Sequence, residues 1–401
     1  MSRITLFTNC AQIITASGDT VHEKSAVVVR DGRITGVIPA AQATETYPGA
    51  AIEDCAGGVL TPGFVDSHTH AVFGGWRAAE FEMRARGLDY MEIARRGGGI
   101  NASVADVRRR TADELVELAL PRLYELVRHG TTTVEIKSGY GLTTEDELKM
   151  LRVIRTLQQR VPLRIVPTFL GAHDLPLEYR ERRNEYVDLL INEMLPAVAA
   201  ERLAVFCDVF MEPGAFNADE TRRILTAACE HGFELKLHAD EFENSGAAEL
   251  AVELGAASAD HLGAISEAGI AALATSETVA TLLPATLFFL GKTSYAPARK
   301  LLDAGATIAL ATDYNPGTAP SPSMPLVLTM ACSQMRLTPL EAITAATAGG
   351  ARAIRQHDVG VIEAGAHADL VLWQVADYRE IPYRFGIPPV TGVWLSGDRV
   401  F

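Results

Sequence analysis

The chain is predicted to fold as a parallel (β/α)8 barrel, TIM-like, carrying a small composite β-sandwich domain made by its N- and C-terminal segments. From Gly63 onward, short apolar segments alternate with long amphipathic ones, the pattern of parallel strands joined by covering helices. Eight such apolar segments can be counted, the number that closes a barrel. Before Gly63 and after about residue 355 the pattern is β alone. A barrel of roughly 250 residues also leaves both ends of a 401-residue chain for a second unit. The expected division is 1–60 plus 355–401 for the β-domain and 61–354 for the barrel.

In the first unit, ITLFTNCAQIIT and AVVVRDGRITGVIP read as strands, the latter turning at Asp31-Gly32 in hairpin fashion. The barrel strands are expected in VLTPGFVDSHTH, TTTVEIKSGY, LRIVPTFLGAH, AVFCDVFME, FELKLHADE, ASADHL, TVATLLPAT and TIALATDYNPG. Between them, ADELVELALPRLYELVRHG, EDELKMLRVIRTLQQR and NADETRRILTAACEHG repeat apolar residues at three and four, as amphipathic helices do. At the far end VGVIEAGAHADLVLWQV and VTGVWLSGDRVF return to strands, the last pair about a Gly-Asp turn. There is no internal repeat or low-complexity segment.

Hydrophobic residues make up 48% of the chain and charged residues 21%, which excludes a disordered protein. The formal net charge of -14 argues against nucleic acid and anionic membranes as partners. Local basic runs, Arg108-Arg109-Arg110 and Arg180 to Arg183, read as solvated helix faces. Cys10, Cys55, Cys207, Cys229 and Cys332 form no C-x-x-C pair, so neither a disulfide framework nor a thiolate zinc site is expected. The N-terminus has no leader pattern and no stretch is apolar enough to span a bilayer. A cytoplasmic protein is expected.

A barrel of this kind carries its active site at the C-terminal ends of the strands. Strand one ends in His68-Thr69-His70, strand two in Lys137-Ser138-Gly139-Tyr140, strand three in His173-Asp174, strand five in His238-Ala239-Asp240-Glu241, strand six in Asp260-His261, and strand eight in Asp313-Tyr314-Asn315. Five of the ten histidines thus fall on one rim. Residues two apart on a strand share a side, so Asp66, His68 and His70 converge, with Asp66 deeper. Three imidazoles and one carboxylate suit zinc or iron better than calcium or magnesium. His68, His70, His238 and Asp313 supply that set. Such a site leaves room for a water whose pKa the ion lowers toward neutrality, and metal-assisted hydrolysis follows.

Glu241, three residues past His238, is placed to carry the water's proton; alternatively it is a surface carboxylate near the start of a helix expected at about Asn244. His261 is a substrate-carbonyl or water contact, a further metal ligand or a structural histidine. Lys137 holds the position where some barrels carry a carboxylated lysine between two metals, but one metal is expected here. Gly97-Gly98-Gly99 reads as a loop that lets backbone approach a ligand. It lacks the strand, glycine and helix context of a phosphate loop.

Together, PGFVDSHTH on strand one, single histidines on strands five and six, Asp313 on strand eight and the flanking β-domain resemble the amidohydrolase superfamily. Within it, HTHAVFGGWRAAEFEMRARGLDYMEI, RRGGGI, EIKSGYGL, HADEF, SADHL and ATDYNPG are similar to the imidazolonepropionase family over nearly the whole chain. That resemblance implies opening of the ring of 4-imidazolone-5-propanoate by water to N-formimidoyl-L-glutamate, the third step of histidine degradation. It implies one zinc or iron ion on His68, His70, His238 and Asp313, and a homodimer. Substrate contacts would be Arg77, Tyr140, His173, Glu241, Asn315, Gly317 and Thr318, with Glu241, His261 and Asp313 nearest the chemistry. The substrate's propionate calls for an anion-binding group, and Arg77 can make a bidentate pair with it unless it pairs with Glu80 or Glu82. Tyr140 offers a ring face to the planar imidazolone, or packs at the barrel mouth. The Asn315-Pro316-Gly317 turn presents backbone groups or is a plain tight turn. Two rivals stand beside this reading: a deaminase of an amino-substituted heterocycle, and a silent barrel acting as a binding protein.

Overall fold

The structure is a computed structural model that describes residues 3–17, 21–88, 92–93 and 97–401. Arg95 and Arg96 of the RRGGGI segment lie outside the described residues. Eight parallel strands pair in sequence order: Phe64–Asp66, Thr131–Lys137, Arg164–Ala172, Phe206–Met211, Glu234–Ala239, Ser258–His261, Val279–Leu282 and Ile308–Leu310. The last meets the first through single contacts rather than a ladder. Asp66 accepts hydrogen bonds from the Thr312 backbone N–H (3.0 Å) and hydroxyl (2.6 Å). Thr69 bridges Tyr314 in parallel fashion, and the His70 N–H donates to the Tyr314 carbonyl at 2.9 Å. The predicted barrel is therefore present, closed at the point where two of the expected metal ligands emerge.

The strand alternation sorts residues between two environments. On strand two, Val134 and Ile136 join the large apolar cluster shared with the surrounding helices, while Glu135 and Lys137 are fully buried on the opposite, interior side. Strands four and five repeat this, with Cys207, Val209, Leu235 and Leu237 in the apolar cluster and Asp208, Lys236 and His238 inward. The helices that cover the barrel begin with the expected signals. Thr111 and Asn217 cap Ala112–Arg128 and Ala218–Glu230 with reciprocal capping boxes to Glu114 and Glu220.

The end segments form two sheets. One has four strands, all from before residue 55; the other joins Gln12–Ile14, Val21–His22 and Val59–Pro62 to Leu370–Trp373, Val390–Leu395 and Asp398–Arg399. Phe7, Val27 and Val29 from the first pack with Ile13, Leu60, Leu370 and Trp394 from the second in one core, which makes the predicted sandwich. Phe7 and Trp394 meet edge to face at 5.1 Å. The Asp31-Gly32 turn has φ of 48° and 79°, both positive as a two-residue hairpin loop demands.

Several element expectations are corrected. ITLFTNCAQIIT is not one strand: Asn9 at φ 55° breaks it into Ile4–Thr8 and Gln12–Ile14, which enter different sheets. Ala40–Thr46 is a helix where only strands were expected. The final turn centres on Ser396-Gly397, whose φ values are 46° and 78°, and not on Gly397-Asp398. The first barrel strand stops at Asp66, so His68 and His70 sit on its extended continuation. The basic runs are not merely solvated. Arg108 donates to the Gly141 carbonyl at 2.8 Å and pairs with Glu178 at 2.9 Å, and Arg183 pairs with Glu220. A helix flank near a βα loop finds carbonyls and carboxylates to bind, which a charge pattern alone does not reveal. Among the described residues no helix is long and apolar enough to cross a membrane.

Trp394→Ala should cost about 3–5 kcal/mol, as for other buried tryptophans, read by equilibrium urea unfolding. A loss below about 1 kcal/mol would show that the shared sheet core does not hold the sandwich.

Candidate active site

The site is built where strand ends force unusual backbone. Asp240, His261 and Asp313 have φ of 49°, 82° and 52°, a left-handed region that costs non-glycine residues free energy unless neighbours hold them. At Asp240 the holding is visible. Its carboxylate accepts from the N–H groups of Ser245 (2.7 Å), Ala247 (3.2 Å) and Ala248 (3.1 Å), covering the start of helix Ala247–Glu253. The capping carboxylate is therefore Asp240. Glu241 does not take up the alternative cap position and turns inward, with Oε1 at 3.6 Å from His261 Nδ1. The helix starts three residues later than expected, after Gly246 at φ 74°, and Glu212 accepts from the N–H groups of Glu241, Phe242 and Glu243 at 2.8–3.2 Å.

All the expected site residues except His68 and Gly317 line one cavity of about 700 Å³. His68 is fully buried beneath it, its ring 4.5 Å from that of His238 and 5.4 Å from that of His70. The Nε2 atoms of His68 and His70 each lie 3.5 Å from Asp313 Oδ1. Nitrogen and oxygen donors of His68, His70 and Asp313 fall within 4.8 Å of one another, as do those of His68, His238 and His261.

The set fits a metal ion on three counts. The His68 Nδ1–H donates to Asp260 at 2.6 Å and the His238 Nδ1–H to Asp208 at 3.1 Å; a carboxylate only accepts, so each ring presents its bare Nε2 lone pair to the cluster. Both Nε2 atoms are buried without a hydrogen-bond partner among the described residues. Burial, with the nearby Lys137 charge, holds His68 far below the usual imidazole range, and burial with His173 does so for His70; neutral imidazole is the form that coordinates. Burial lifts Asp313 to about 6 against the opposing Thr286 hydroxyl, which donates to Oδ2 at 2.5 Å and leaves Oδ1 toward His68 and His70.

Beneath the histidines lies a charged layer that sequence reasoning missed. Lys137 Nζ is 2.8 Å from Glu135 Oε1, 2.8 Å from Asp208 Oδ2 and 4.0 Å from Asp260 Oδ2, all fully buried. Lys236 Nζ approaches Asp260 at 3.3 Å. Burial alone would lower the Lys137 pKa, but Asp208, Glu135 and Asp260 raise it. Carboxylating this lysine would put a fourth anion among three carboxylates, which the surroundings oppose. The available signal was an acidic residue inside an apolar strand, as in FCDVF, which a buried parallel strand tolerates only with a partner.

The cavity walls hold the expected substrate groups, with two changes of role. His173 donates from Nδ1 to the Gly139 carbonyl at 2.9 Å and stacks on His70 at 5.0 Å, so its Nε2 is an acceptor; burial lowers its pKa to about 3. Tyr140 lies 5.3 Å from that ring. Arg77 Nε is 3.8 Å from Glu80 Oε2, while Glu82 pairs with Arg86 instead. Asn315 lines the cavity, yet its amide is spent on the loop, donating to the Asp313 carbonyl and accepting from the Gly317 and Thr318 N–H groups at 2.7–2.8 Å. Gly317 stands behind the wall, and a Cβ there would fall 1.4 Å from Arg77 Nη2. It acts by making room for Arg77 rather than by facing the cavity.

Residues 59–400 match the model of the amidohydrolase family. An imidazolonepropionase from Symbiobacterium thermophilum is 50% identical over 377 residues, covering 93% of this chain and 89% of the relative. Another from Myxococcus xanthus is 46% identical over 403 residues, covering 98% and 96%. The chain belongs to the imidazolonepropionase family of amidohydrolases. Among solved structures, an adenosine deaminase from Xanthomonas campestris with bound zinc superposes with a TM-score of 0.73 at 20% identity, covering 98% of this chain and 92% of that one. A guanine deaminase from C. acetobutylicum superposes with a TM-score of 0.71 at 16% identity, with both chains fully covered. At such identities the deaminases share the fold, whereas the imidazolonepropionases share the family.

Lys137→Met should leave buried Glu135 and Asp208 without their nearest cation, Asp260 keeping Lys236, lowering stability by about 3–5 kcal/mol and freeing the His238 ring to turn. Metal content by elemental analysis and the thermal midpoint should both fall; full metal loading at an unchanged midpoint would refute the supporting role.

Proposed function

We propose that the chain hydrolyses the cyclic amide of 4-imidazolone-5-propanoate to N-formimidoyl-L-glutamate, the third step of histidine degradation. The observation that carries this reading is a single cavity in which the histidine and aspartate cluster, a buried carboxyl and an arginine face one another, in a chain about half identical to imidazolonepropionases. The deaminase rival, raised by the shared His-x-His, His with Glu three on, His and Asp pattern, meets deaminase structures at only 20% and 16% identity, and the intact donor set speaks against a silent barrel.

His68, His70, His238 and Asp313 would hold one zinc or iron ion, a choice supported by the imidazole-rich donors. Such an ion supplies Lewis acidity and brings the pKa of water toward neutrality. The protein's own groups do the rest. Burial, with Asp313 and Glu212 nearby, raises Glu241 well above the usual carboxylate range, which suits a group that takes a proton from water and returns it to the departing ring nitrogen. Burial holds His261 well below the usual imidazole range, so it serves as a neutral hydrogen-bonding group for the ring carbonyl as charge builds on its oxygen. Asp313 shares the proton work. The bond between the carbonyl carbon and the ring nitrogen breaks, water oxygen ends on carbon, and the nitrogen keeps the proton.

Tyr140 and His173 flank the planar ring, and His173 Nε2 can accept a ring N–H. Arg77 pairs with the propionate: its Nε and Nη1 are buried without a hydrogen-bond partner among the described residues, and Glu80 at 3.8 Å is too far to satisfy them. Thr318 and Asn315 shape the adjoining loop, with Gly317 seating Arg77.

The setting forms part of the proposal. The barrel over 61–354 carries the chemistry and the β-domain of 1–60 plus 355–401 braces it. Unpaired cysteines are consistent with the cytoplasm. Exposed Tyr383, Phe385 and Ile387 offer an apolar face consistent with a homodimer.

Metal-loaded protein should consume the imidazolone with formation of formiminoglutamate. Ammonia release from an aminated heterocycle with no ring opening would reject the reading. Glu241→Gln should keep its metal while kcat falls by about 10²–10⁴; near-normal turnover would remove Glu241 from the proton path. His238→Ala should lose both metal and activity, and retained metal would show that the donor set is misassigned.

A further inference from the structure

The helix Ala78–Ala85 begins immediately after Arg77 and carries Arg84 in its last turn. Residues seven apart on a helix share a face, so the two guanidinium groups project in the same direction. Both arrive at Gly317. A Cβ there would collide with the Arg77 guanidinium, and Arg84 Nη2 donates to the Gly317 carbonyl at 3.0 Å. Both line the cavity that holds His70, His238 and Asp313.

Between them sits Glu80, buried, three residues after Arg77 and four before Arg84. It reaches toward Arg77 at 3.8 Å and accepts the Gly99 N–H at 3.0 Å. One carboxylate thus faces two guanidinium groups. Arg77 Nε and Nη1 and Arg84 Nε are buried with no hydrogen-bond partner among the described residues. Buried donors and an uncompensated charge are costly unless a ligand completes them. Phe289 lies under the Arg84 guanidinium at 5.2 Å and stacks on Phe81 at 5.0 Å, which restricts where Arg84 can point. Lys292 and Arg180 also line the cavity, but neither reaches Gly317 by a hydrogen bond.

We propose that Arg84 is the second arm of a two-arginine clamp for the side-chain carboxylate of the substrate, with Glu80 spacing the arms and the Gly317 carbonyl anchoring Arg84. This rests on the ring-opening reading above for the identity of the substrate. The clamp itself requires only a small planar ring bearing a carboxylate. Arg84 binds and does not take part in bond making, so it determines specificity for acid over neutral side chains.

The test uses the full metal-loaded protein and titration calorimetry with 3-(imidazol-4-yl)propanoate and its neutral amide, which share ring and chain length and differ in the charge and donor set of the terminal group. Wild type should prefer the acid. Arg84→Met should weaken binding of the acid by about 10- to 100-fold and leave the amide within about twofold, with Arg84→Lys recovering part of the loss. In turnover KM should rise with kcat nearly unchanged, the signature of a contact made equally in ground and transition states. Equal loss of acid and amide, or acid binding within about twofold of wild type in Arg84→Met, would overturn the clamp. So would a wild type that does not prefer the acid. Should Arg84→Met melt far below wild type, Arg84→Gln and Arg84→Lys provide the same comparison. Acid preference without ring opening would reject the proposed reaction and keep the clamp; ring opening with an indifferent Arg84→Met would do the reverse.

Discussion

The ammonium of Lys137, held between Glu135 and Asp208 with Asp260 at 4.0 Å, is the interaction on which the site depends. Asp208 and Asp260 each accept a hydrogen bond from the Nδ1 of a rim histidine, and carboxylates buried that deeply stay charged only with a cation among them. Burial would raise Asp208, yet His238 and Lys137 hold it well below the usual carboxylate range. An ionised Asp208 then fixes the His238 tautomer. The same cation stands near His68 and helps keep that ring neutral. One lysine therefore sets the charge state of the layer below and the layer above it.

That charged layer explains how the barrel differs from a purely apolar one. Strands two, four, five and six spend their interior positions on Glu135, Lys137, Asp208, Lys236 and Asp260, while their outward positions supply the apolar contacts to the helices. Stability comes from the outer interface, and the interior is released for orienting ligands. The strained residues Asp240, His261 and Asp313 lie at or just past the ends of strands five, six and eight, where a rigid floor and the loop carboxylates Asp240 and Glu212 can hold them.

An acidic chain also presents a cationic wall to its cavity. Arg77 and Arg84 sit against Gly317, at the loop after strand eight, and line the same pocket as Asp313 and the histidines. Overall charge and local charge are thereby separated: the first governs the surface at large, the second selects what enters.

Much was legible in the linear sequence because its physical basis is local. Alternation along strands and the three-four rhythm of helices announced the barrel, and the histidines at strand ends announced the cluster of His68, His70 and His238 because a strand end is a recognisable place. The double-positive turn at Asp31-Gly32 could be read from two residues. What tertiary structure decided concerns groups whose partners lie far along the chain. Lys137 meets Asp208 across 71 positions and Asp260 across 123, so its choice between a structural ammonium and a metal bridge depended on pairing that no spacing encodes. The split of ITLFTNCAQIIT at Asn9 depended on two sheets competing for one segment. Glu241 faced inward because Asp240 and Glu212 had already taken the neighbouring N–H groups. Periodicity follows from backbone geometry, which each segment carries with it; charge pairing and competition for hydrogen-bond donors exist only once distant segments have met.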